Sequence, residues 1–152
     1  VSYTVTDCHG NEYEANLKHN GATYNLGVLY FAKNPDFVLD VVDLSKTAPK
    51  IGDDIATVTL INGIYYPHFG KVMGFETIKH KDSGSQAGDI NYNMMVHNGQ
   101  TDRNVTGRPI LDMNLNLIGI QCGTLTDGEV SFDNPHAIPW SVIEKYISAY
   151  GM

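Results

Sequence analysis

Short apolar or alternating runs dominate the chain, and turn residues separate them. Alternation of apolar and polar positions every two residues is typical of half-buried β-strands. The pattern predicts strands in SYTVT, ATYNLGVLYF, DFVLDVVDL, IATVTLI, IYYPHFGKVMGF, INYNMMVHN, PILDM, LIGIQCG, EVSF and HAIP. Between the fourth and fifth of these, Asn62 and Gly63 predict a two-residue hairpin turn, because both residue types accept the positive φ angles that such a turn requires. PILDM and LIGIQCG are predicted to pair with each other around the turn at NLN.

Helical periodicity is confined to the end of the chain, after Pro139 and before Gly151. The apolar positions that fall on one helical face there are Trp140, Ile143, Tyr146, Ile147 and Tyr150. A proline before such a pattern and a glycine after it are typical helix boundaries. Residues 80–89, HKDSGSQAGD, predict a surface loop. The pattern therefore predicts an all-β protein of the barrel or sandwich class with a C-terminal helix.

Composition narrows the possible partners. The 152 residues are 42% hydrophobic, which is enough for one packed domain, and the net charge is −7. An acidic chain is a poor partner for nucleic acid, whose binding rests on Lys and Arg contacts to phosphates. Apolar runs such as GVLYF are too short to cross a membrane. Two cysteines, Cys8 and Cys122, make no zinc motif, so we expect no metal or other cofactor.

Residues 104–123, NVTGRPILDMNLNLIGIQCG, resemble the nucleophile segment of trypsin-like (chymotrypsin-fold) serine proteases, especially the HtrA-like and viral branches. In that family the pattern is G-N-S-G-G-P, an apolar strand, a turn and a V-I-G-I strand. HAIPWSVIEKYISAYG resembles the family's ending, an A-I-P strand that leads into a terminal helix. APKIGDDIATVTLI and GKVMGF resemble the segment between the barrels and the opening of the second barrel. The resemblance implies a trypsin-like double β-barrel, with residues 1–66 as an incomplete first barrel and 67–152 as the second barrel plus helix.

The resemblance also implies a catalytic triad. PDFVLDVVDL resembles the D-L-A-V-L-K-V strand, whose first Asp orients the catalytic histidine, and this assigns that role to Asp36. SYTVTDCH resembles G-F-x-V-T-x-x-H, which assigns the general base to His9, and the nucleophile position falls on Thr106. A second alignment stays open. In it TDCHGNEYEA is a strand–turn–strand unit of the type D-G-x-E-Y-x-A, and the true histidine lies upstream.

Two further groups follow from the resemblance. The oxyanion turn would be formed by Asn104, Val105 and Thr106. The substrate pocket would be lined by Gln121, Cys122, Gly123 and His136.

The nucleophile segment departs from the family at three positions. Thr106 keeps a hydroxyl but adds a methyl group that restricts χ1. Asn104 and Arg108 stand where the motif has glycine, and Arg108 adds a long cation beside the cleft. A preorganised oxyanion donor is worth about 3–4 kcal/mol of barrier height, so a disturbed turn would cost orders of magnitude in rate.

These departures predict a pseudoprotease that acts as a binding or structural subunit, and the viral branch of the resemblance implies a viral assembly. The alternative is an active endopeptidase that uses His9, Asp36 and Thr106. A third possibility is a β-rich assembly protein without protease ancestry. The strands that precede the histidine in this family are missing, so we expect an upstream segment or a protein partner to complete the first barrel.

Overall fold

The computed structural model describes residues 1–21, 24–32, 34–36, 38–77, 92–99, 106–126 and 129–151, with only the backbone for 123–126 and 129–135. The strands are β1 Tyr3–Thr6, β2 Glu12–Gly21, β3 Leu26–Phe31, β4 Asp54–Ile61, β5 Ile64–Thr77, β6 Asn93–His97, β7 Pro109–Leu111, β8 Leu117–Thr126 and β9 Glu129–Pro139. The helix is α1, Trp140–Tyr150. Among the described residues, no helix has both the length and the apolar character needed to cross a membrane.

The strands form two units. β1, β2 and β3 make an antiparallel sheet in that order, and the other six close into a barrel in the order β4-β5-β6-β9-β8-β7. The predicted all-β architecture with a C-terminal helix is confirmed. The barrel begins with β4 at Asp54, earlier in the chain than the predicted division after residue 66.

Each strand of the closed barrel contributes one side chain to a common core. The six residues are Ile55, Val72, Met95, Ile110, Ile118 and Ala137, all at most 2% exposed. Burial of one large aliphatic side chain stabilises the folded state by about 1.5–3 kcal/mol. Gly119 makes this packing possible, because a Cβ atom there would lie 2.8 Å from the Met95 side chain.

A second core joins the barrel to the helix. Its buried members are Met94, Cys122, Ile138, Val142 and Ile143, and Tyr24 and Leu26 of the first unit pack against them. The indole N–H of Trp140 donates to the carbonyl oxygen of Ser45 at 2.7 Å, which fixes the start of α1 to the segment that connects the two units. The helix therefore holds the three-stranded sheet and the barrel together.

The local hairpin and helix predictions are confirmed. Asn62 and Gly63 have φ angles of 50° and 78°, and Ile61 pairs with Ile64 across the turn. β7 pairs antiparallel with β8, and the helix has the predicted bounds.

The strand predicted in DFVLDVVDL is wrong. Residues 38–43 form no strand, and Leu44 makes an isolated parallel bridge to Leu117. The segment instead follows the start of β8, where Leu117 N–H donates to the Asp43 carbonyl oxygen at 2.7 Å. Val38 and Val41 are more than 80% exposed. An alternating pattern makes a strand only where a neighbouring strand can pair with it, and no described strand does so here.

Candidate functional site

Thr106 lies in an exposed turn immediately before β7. Gly107 follows with a φ of 87°, a left-handed conformation that glycine adopts without steric cost. The N–H of Gly107 donates to the Gln121 carbonyl oxygen at 2.7 Å, and the N–H of Gln121 donates to the Arg108 carbonyl oxygen at 2.8 Å. The Thr106 turn is thus fastened to β8. Asn104 and Val105, the other predicted oxyanion positions, lie outside the described residues.

Arg108 turns back onto the barrel wall. Its Nη1 atom donates to the carbonyl oxygen of Val58 at 3.1 Å. β7 pairs with β4 only at Ala56 and Thr57, so Val58 is the first β4 residue beyond that ladder. The guanidinium group therefore continues the hydrogen bonding of β4 beyond the first residue of β7, directly beside the Thr106 turn.

Three of the predicted pocket residues come together. Cys122 pairs with His136 between β8 and β9, and Gln121 is the neighbour of Cys122 on β8. The side-chain amide of Gln121 donates to the carbonyl oxygens of Cys122 at 3.1 Å and His136 at 3.0 Å. All three residues are buried. Gly123 continues β8, where the pairing with β9 shifts register.

A buried histidine that we did not predict lies against Gln121. The Nε2 atom of His97 is 2.6 Å from Gln121 Oε1, and the N–H of Gly99 donates to His97 Nδ1 at 3.1 Å. Because Nδ1 accepts a hydrogen bond, the proton of the neutral ring sits on Nε2 and is donated to Gln121. Burial lowers the pKa of His97, the bond to Gln121 opposes this, and nearby His136 lowers the pKa further. Alternation from Met95 along β6 is the one sequence signal that could have placed His97 in the barrel interior.

Cys122 is unsuited to nucleophilic chemistry. Burial raises the pKa of its thiol to about 12, against a smaller opposing effect of a backbone hydrogen bond. The thiolate is the reactive form, so this cysteine stays an inert thiol near neutral pH. Its Sγ atom donates to the His136 carbonyl oxygen at 3.3 Å, and His136 Nε2 lies 3.7 Å from Glu76 Oε2.

His9 lies in the turn between β1 and β2, which is built around Asp7. One carboxylate oxygen of Asp7 accepts from the N–H groups of His9 at 2.8 Å and Asn11 at 2.9 Å. The other accepts from the hydroxyl of Tyr13 at 2.8 Å and from the Asn11 side chain at 2.9 Å. Burial acts to raise the pKa of Asp7, but these hydrogen bonds outweigh it and lower the pKa to about 2. The ionised carboxylate therefore organises the turn and leaves His9 exposed at its tip.

Asp36 lies in an exposed turn after β3, where its N–H donates to Asn34 Oδ1 at 3.0 Å. β3 runs antiparallel to β2, so its end and the His9 turn are at the same end of the first sheet. Thr106 belongs to the other unit. The residue immediately before β3 is Asn25, with a φ of 55°.

A polar cleft of about 650 Å³ opens between the connecting segment and the β7–β8 turn, lined among others by Asp43, Lys46 and Asp112. The Asp112 side chain caps the β7–β8 turn, because its Oδ1 atom accepts hydrogen bonds from the N–H groups of Asn114 at 2.8 Å and Asn116 at 2.9 Å. In the part of the chain that the structure describes, no three His, Cys, Asp or Glu side chains converge as a metal site would require.

No protein-family model matches the chain, and no curated protein sequence matches it. Solved structures, in contrast, do match the chain. The Rv3671c protease in an inactive form is similar with a TM-score of 0.73 and 13% identity, over 98% of this chain and 72% of that one. The HtrA-type protease AlgW with a decapeptide gives a TM-score of 0.72 and 18% identity, over 99% of this chain and 45% of that one. A serine-to-alanine mutant of Rv3671c from M. tuberculosis H37Rv, in an inactive form, is similar with a TM-score of 0.69 and 12% identity, over 93% of this chain and 66% of that one.

Identities of 12–18% establish the fold and leave activity to be proposed. This chain spans less than half of the AlgW chain and about two thirds to three quarters of the Rv3671c chains. The closed barrel, the C-terminal helix and the three-stranded first sheet agree with that fold. The chain therefore has the trypsin-like fold of HtrA-type serine protease domains, with an incomplete first barrel, as predicted.

Proposed function

We propose that the chain is a catalytically impaired homologue of the trypsin-like proteases that acts as a binding or structural subunit. The observation that carries the proposal is the residue before β3. In the family the D-L-A-V-L-K-V strand begins with the Asp that orients the histidine. PDFVLDVVDL, the segment that the sequence resemblance assigned to this strand, forms no strand, whereas NLGVLYF, residues 25–31, has the same pattern and contains β3. We therefore propose an alignment different from the one that assigned the role to Asp36, and in it the amide of Asn25 replaces the carboxylate.

An asparagine at this position has a known consequence in a trypsin-like triad. The carboxylate holds the imidazole in the tautomer that accepts the nucleophile's proton and stabilises the imidazolium ion that forms. Replacement of that Asp by Asn lowers kcat by about 10⁴. In this alignment, Asn25 alone would lower the rate of proteolysis by about that factor.

The hairpin around His9 supports the second alignment of the sequence. Tyr3–Thr6 pairs with Glu12–Gly21 through a tight turn that Asp7 organises, as a D-G-x-E-Y-x-A unit requires. In that alignment the base of the triad is not His9 and would lie upstream of Val1. The assignments of His9 and Asp36 stay predictions of the alternative function, an active endopeptidase with Thr106 as nucleophile.

The first sheet offers a surface for a binding role. β1 and β3 are its edges, and the register puts Tyr3, Val5, Tyr13, Ala15, Leu17, Leu29 and Phe31 on one face. Leu17 and Leu29 are 41% and 39% exposed on that face. The opposite face carries Glu12 and Glu14. An extended apolar segment, either upstream of Val1 or from a partner protein, would cover the apolar face and pair with an edge. The viral branch of the sequence resemblance extends this proposal to a subunit of a viral assembly.

A cleavage assay tests the impaired state. Wild-type protein and a Thr106→Ala variant are incubated with an unfolded, fluorescently quenched protein substrate. We expect equal rates at background for both, because the hydroxyl is not activated. A wild-type rate well above background that disappears in Thr106→Ala would support the endopeptidase instead.

Hydrogen exchange tests the binding role separately. We expect the outward-facing amides of β1 and β3 to exchange rapidly in this chain, since no described strand pairs with them. The same amides should become protected in a version extended upstream or in a complex with the partner. Protection of both edges in the chain by itself would contradict an open first sheet.

A further inference from the structure

His97 is a buried titratable side chain that the proposed function does not use. It is the last residue of β6 and is 2% exposed. Both ring nitrogens are bonded: Nδ1 accepts from the N–H of Gly99 at 3.1 Å, and Nε2 donates to Gln121 Oε1 at 2.6 Å. A neutral imidazole with its proton on Nε2 satisfies both hydrogen bonds, whereas a protonated imidazole cannot accept from Gly99.

The residues that follow β6, Asn98 and Gly99, form a turn that packs closely on β5, and we call it the Gly99 turn. The N–H of Lys71 donates to Asn98 Oδ1 at 2.7 Å, and the N–H of Asn98 donates to the Lys71 carbonyl oxygen at 3.2 Å. A Cβ atom at Gly70 would lie 2.6 Å from the nitrogen of Gly99, so the two backbones are in contact. Lys71 therefore holds the first residue of the turn, and His97 holds the second.

The other nitrogen of His97 leads to the Thr106 turn at the same end of the barrel. The carbonyl oxygen of Gln121 accepts from the N–H of Gly107 at 2.7 Å, and its N–H donates to the Arg108 carbonyl oxygen at 2.8 Å. These are backbone hydrogen bonds without a titratable group. The Nε2–H of His97 donates to Gln121 in both protonation states, so a proton on Nδ1 breaks no hydrogen bond on this side.

The surroundings of His97 keep its ring neutral near pH 7. Burial lowers the pKa of His97, the hydrogen bond to Gln121 opposes this, and His136 of β9 lowers the pKa further. The uncharged residues close to the ring on the other strands are Val72 on β5, Thr57 on β4 and Gln121 on β8. Titration of this ring therefore begins only in acid.

Charged side chains near the ring are engaged elsewhere. Glu76 of β5 lies 3.7 Å from Nε2 of His136. Lys71 forms an ion pair with Asp54, and the guanidinium group of Arg108 donates to the barrel wall. Among the described residues no carboxylate forms an ion pair with the buried ring at the end of β6, so its protonated form gains no compensating contact there.

We propose that His97 is a pH-sensitive latch on the Gly99 turn. Near pH 7 the neutral ring holds the turn against the barrel. In acid the lone pair of Nδ1 binds a proton, the N–H of Gly99 loses its acceptor, and the Gly99 turn separates from the barrel while the Thr106 turn stays in place. The closed turn and the protonated ring are incompatible because two N–H groups would then point at each other. This inference does not depend on the loss of catalytic activity.

An NMR titration of the wild-type chain from about pH 7.5 to about pH 4.5 tests the proposal. The ring nitrogens of His97 should show the Nε2–H tautomer at the start, and the ring and the Gly99 amide should titrate with one midpoint below about pH 6.5. Across that midpoint the exchange protection of the Gly99 amide, relative to its intrinsic rate at each pH, should fall by about fivefold or more. The Gly107 amide is the internal control and should keep its protection.

Two variants separate His97 from the neighbouring histidine. His97→Asn keeps an oxygen that can accept from Gly99 and has no proton to gain, so it should abolish the pH dependence at Gly99. His136→Asn is the matched control. It should retain the pH dependence at Gly99 and shift the midpoint upward, because the group that lowers the pKa of His97 by its charge is removed.

Three outcomes would overturn the proposal. The first is a Gly99 amide whose protection stays constant down to the pH at which the wild-type chain unfolds. The second is a pH dependence that persists in His97→Asn or disappears in His136→Asn, which would assign the response to His136. The third is a simultaneous loss of protection at Gly99 and Gly107, which would show general opening of the barrel instead of release of one turn.

Discussion

His97 Nε2 lies 2.6 Å from Oε1 of Gln121 inside the barrel, and the backbone of Gln121 in turn holds the Thr106 turn. Gln121 N–H donates to Arg108, and its carbonyl oxygen accepts from Gly107. The side chain and the backbone of one buried residue therefore connect β6 to the turn at Thr106, the predicted nucleophile position.

The first prediction concerns pH. The pKa of His97 is lowered in the folded state, first by burial and also by nearby His136. The unfolded chain therefore binds the proton more readily. His97 makes its full contribution to the free energy of unfolding above pH 6.5, which is about the pKa of histidine in the unfolded chain. Below that pH the unfolded chain takes up the proton, and the free energy of unfolding falls by at most about 1.4 kcal/mol per pH unit. Urea unfolding from pH 7.5 to 5 measures this, and His97→Asn should have a shallower slope over that window. Equal slopes would contradict a neutral His97.

The second prediction concerns Gln121. Gln121→Leu leaves the Nε2–H of His97 and the carbonyl oxygens of Cys122 and His136 without this partner. Unsatisfied buried polar groups cost about 1–3 kcal/mol each, so we expect the free energy of unfolding to fall by roughly 2–4 kcal/mol. The double variant His97→Leu with Gln121→Leu should lose less free energy of unfolding than the sum of the two single variants, because both partners of the His97–Gln121 hydrogen bond are then removed. Strict additivity in urea unfolding would contradict the coupling.

The third prediction concerns the hydrogen bonds between the first sheet and helix α1. The Tyr146 hydroxyl lies 2.6 Å from His19 Nδ1 and donates to the Leu26 carbonyl oxygen at 3.2 Å. Tyr146→Phe should lower the free energy of unfolding by about 1–2 kcal/mol, since it removes these hydrogen bonds and keeps the ring. Tyr150→Phe is the control. Its ring stacks on His19 at 3.6 Å between centroids, and that contact survives the change. Equal losses in both variants would argue against the hydroxyl's role.

Elements with local signals could be predicted from the sequence. The Asn62-Gly63 turn, the β7–β8 pair and the helical period of α1 each depend on neighbouring residues, and all three are confirmed. β2 was not predicted outside the second alignment, because Glu12, Glu14 and Lys18 on its exposed positions mask the alternation of Tyr13 and Ala15.

Features that depend on distant partners could not be predicted in this way. Residues 38–43 have a strand-like pattern, but no described strand pairs with them. His97 meets a partner 24 positions away in the chain, so no short motif reveals it. The proposal for Asn25 depends on the start of β3 at Leu26, which the sequence pattern did not predict. The Asp36, His9 and Thr106 triad stays a prediction.

Labelling with a fluorophosphonate probe shows whether the Thr106 hydroxyl is activated, because the probe reacts only with an activated hydroxyl. We expect wild-type protein to stay unlabelled at Thr106, as measured by intact mass and peptide mapping, like the Thr106→Ala control. Thr106→Ser alone should also stay unlabelled, since neither Asn25 nor Arg108 is changed. Stoichiometric labelling of the wild type at Thr106, lost in His9→Ala or Asp36→Asn, would contradict the impaired state and establish the endopeptidase.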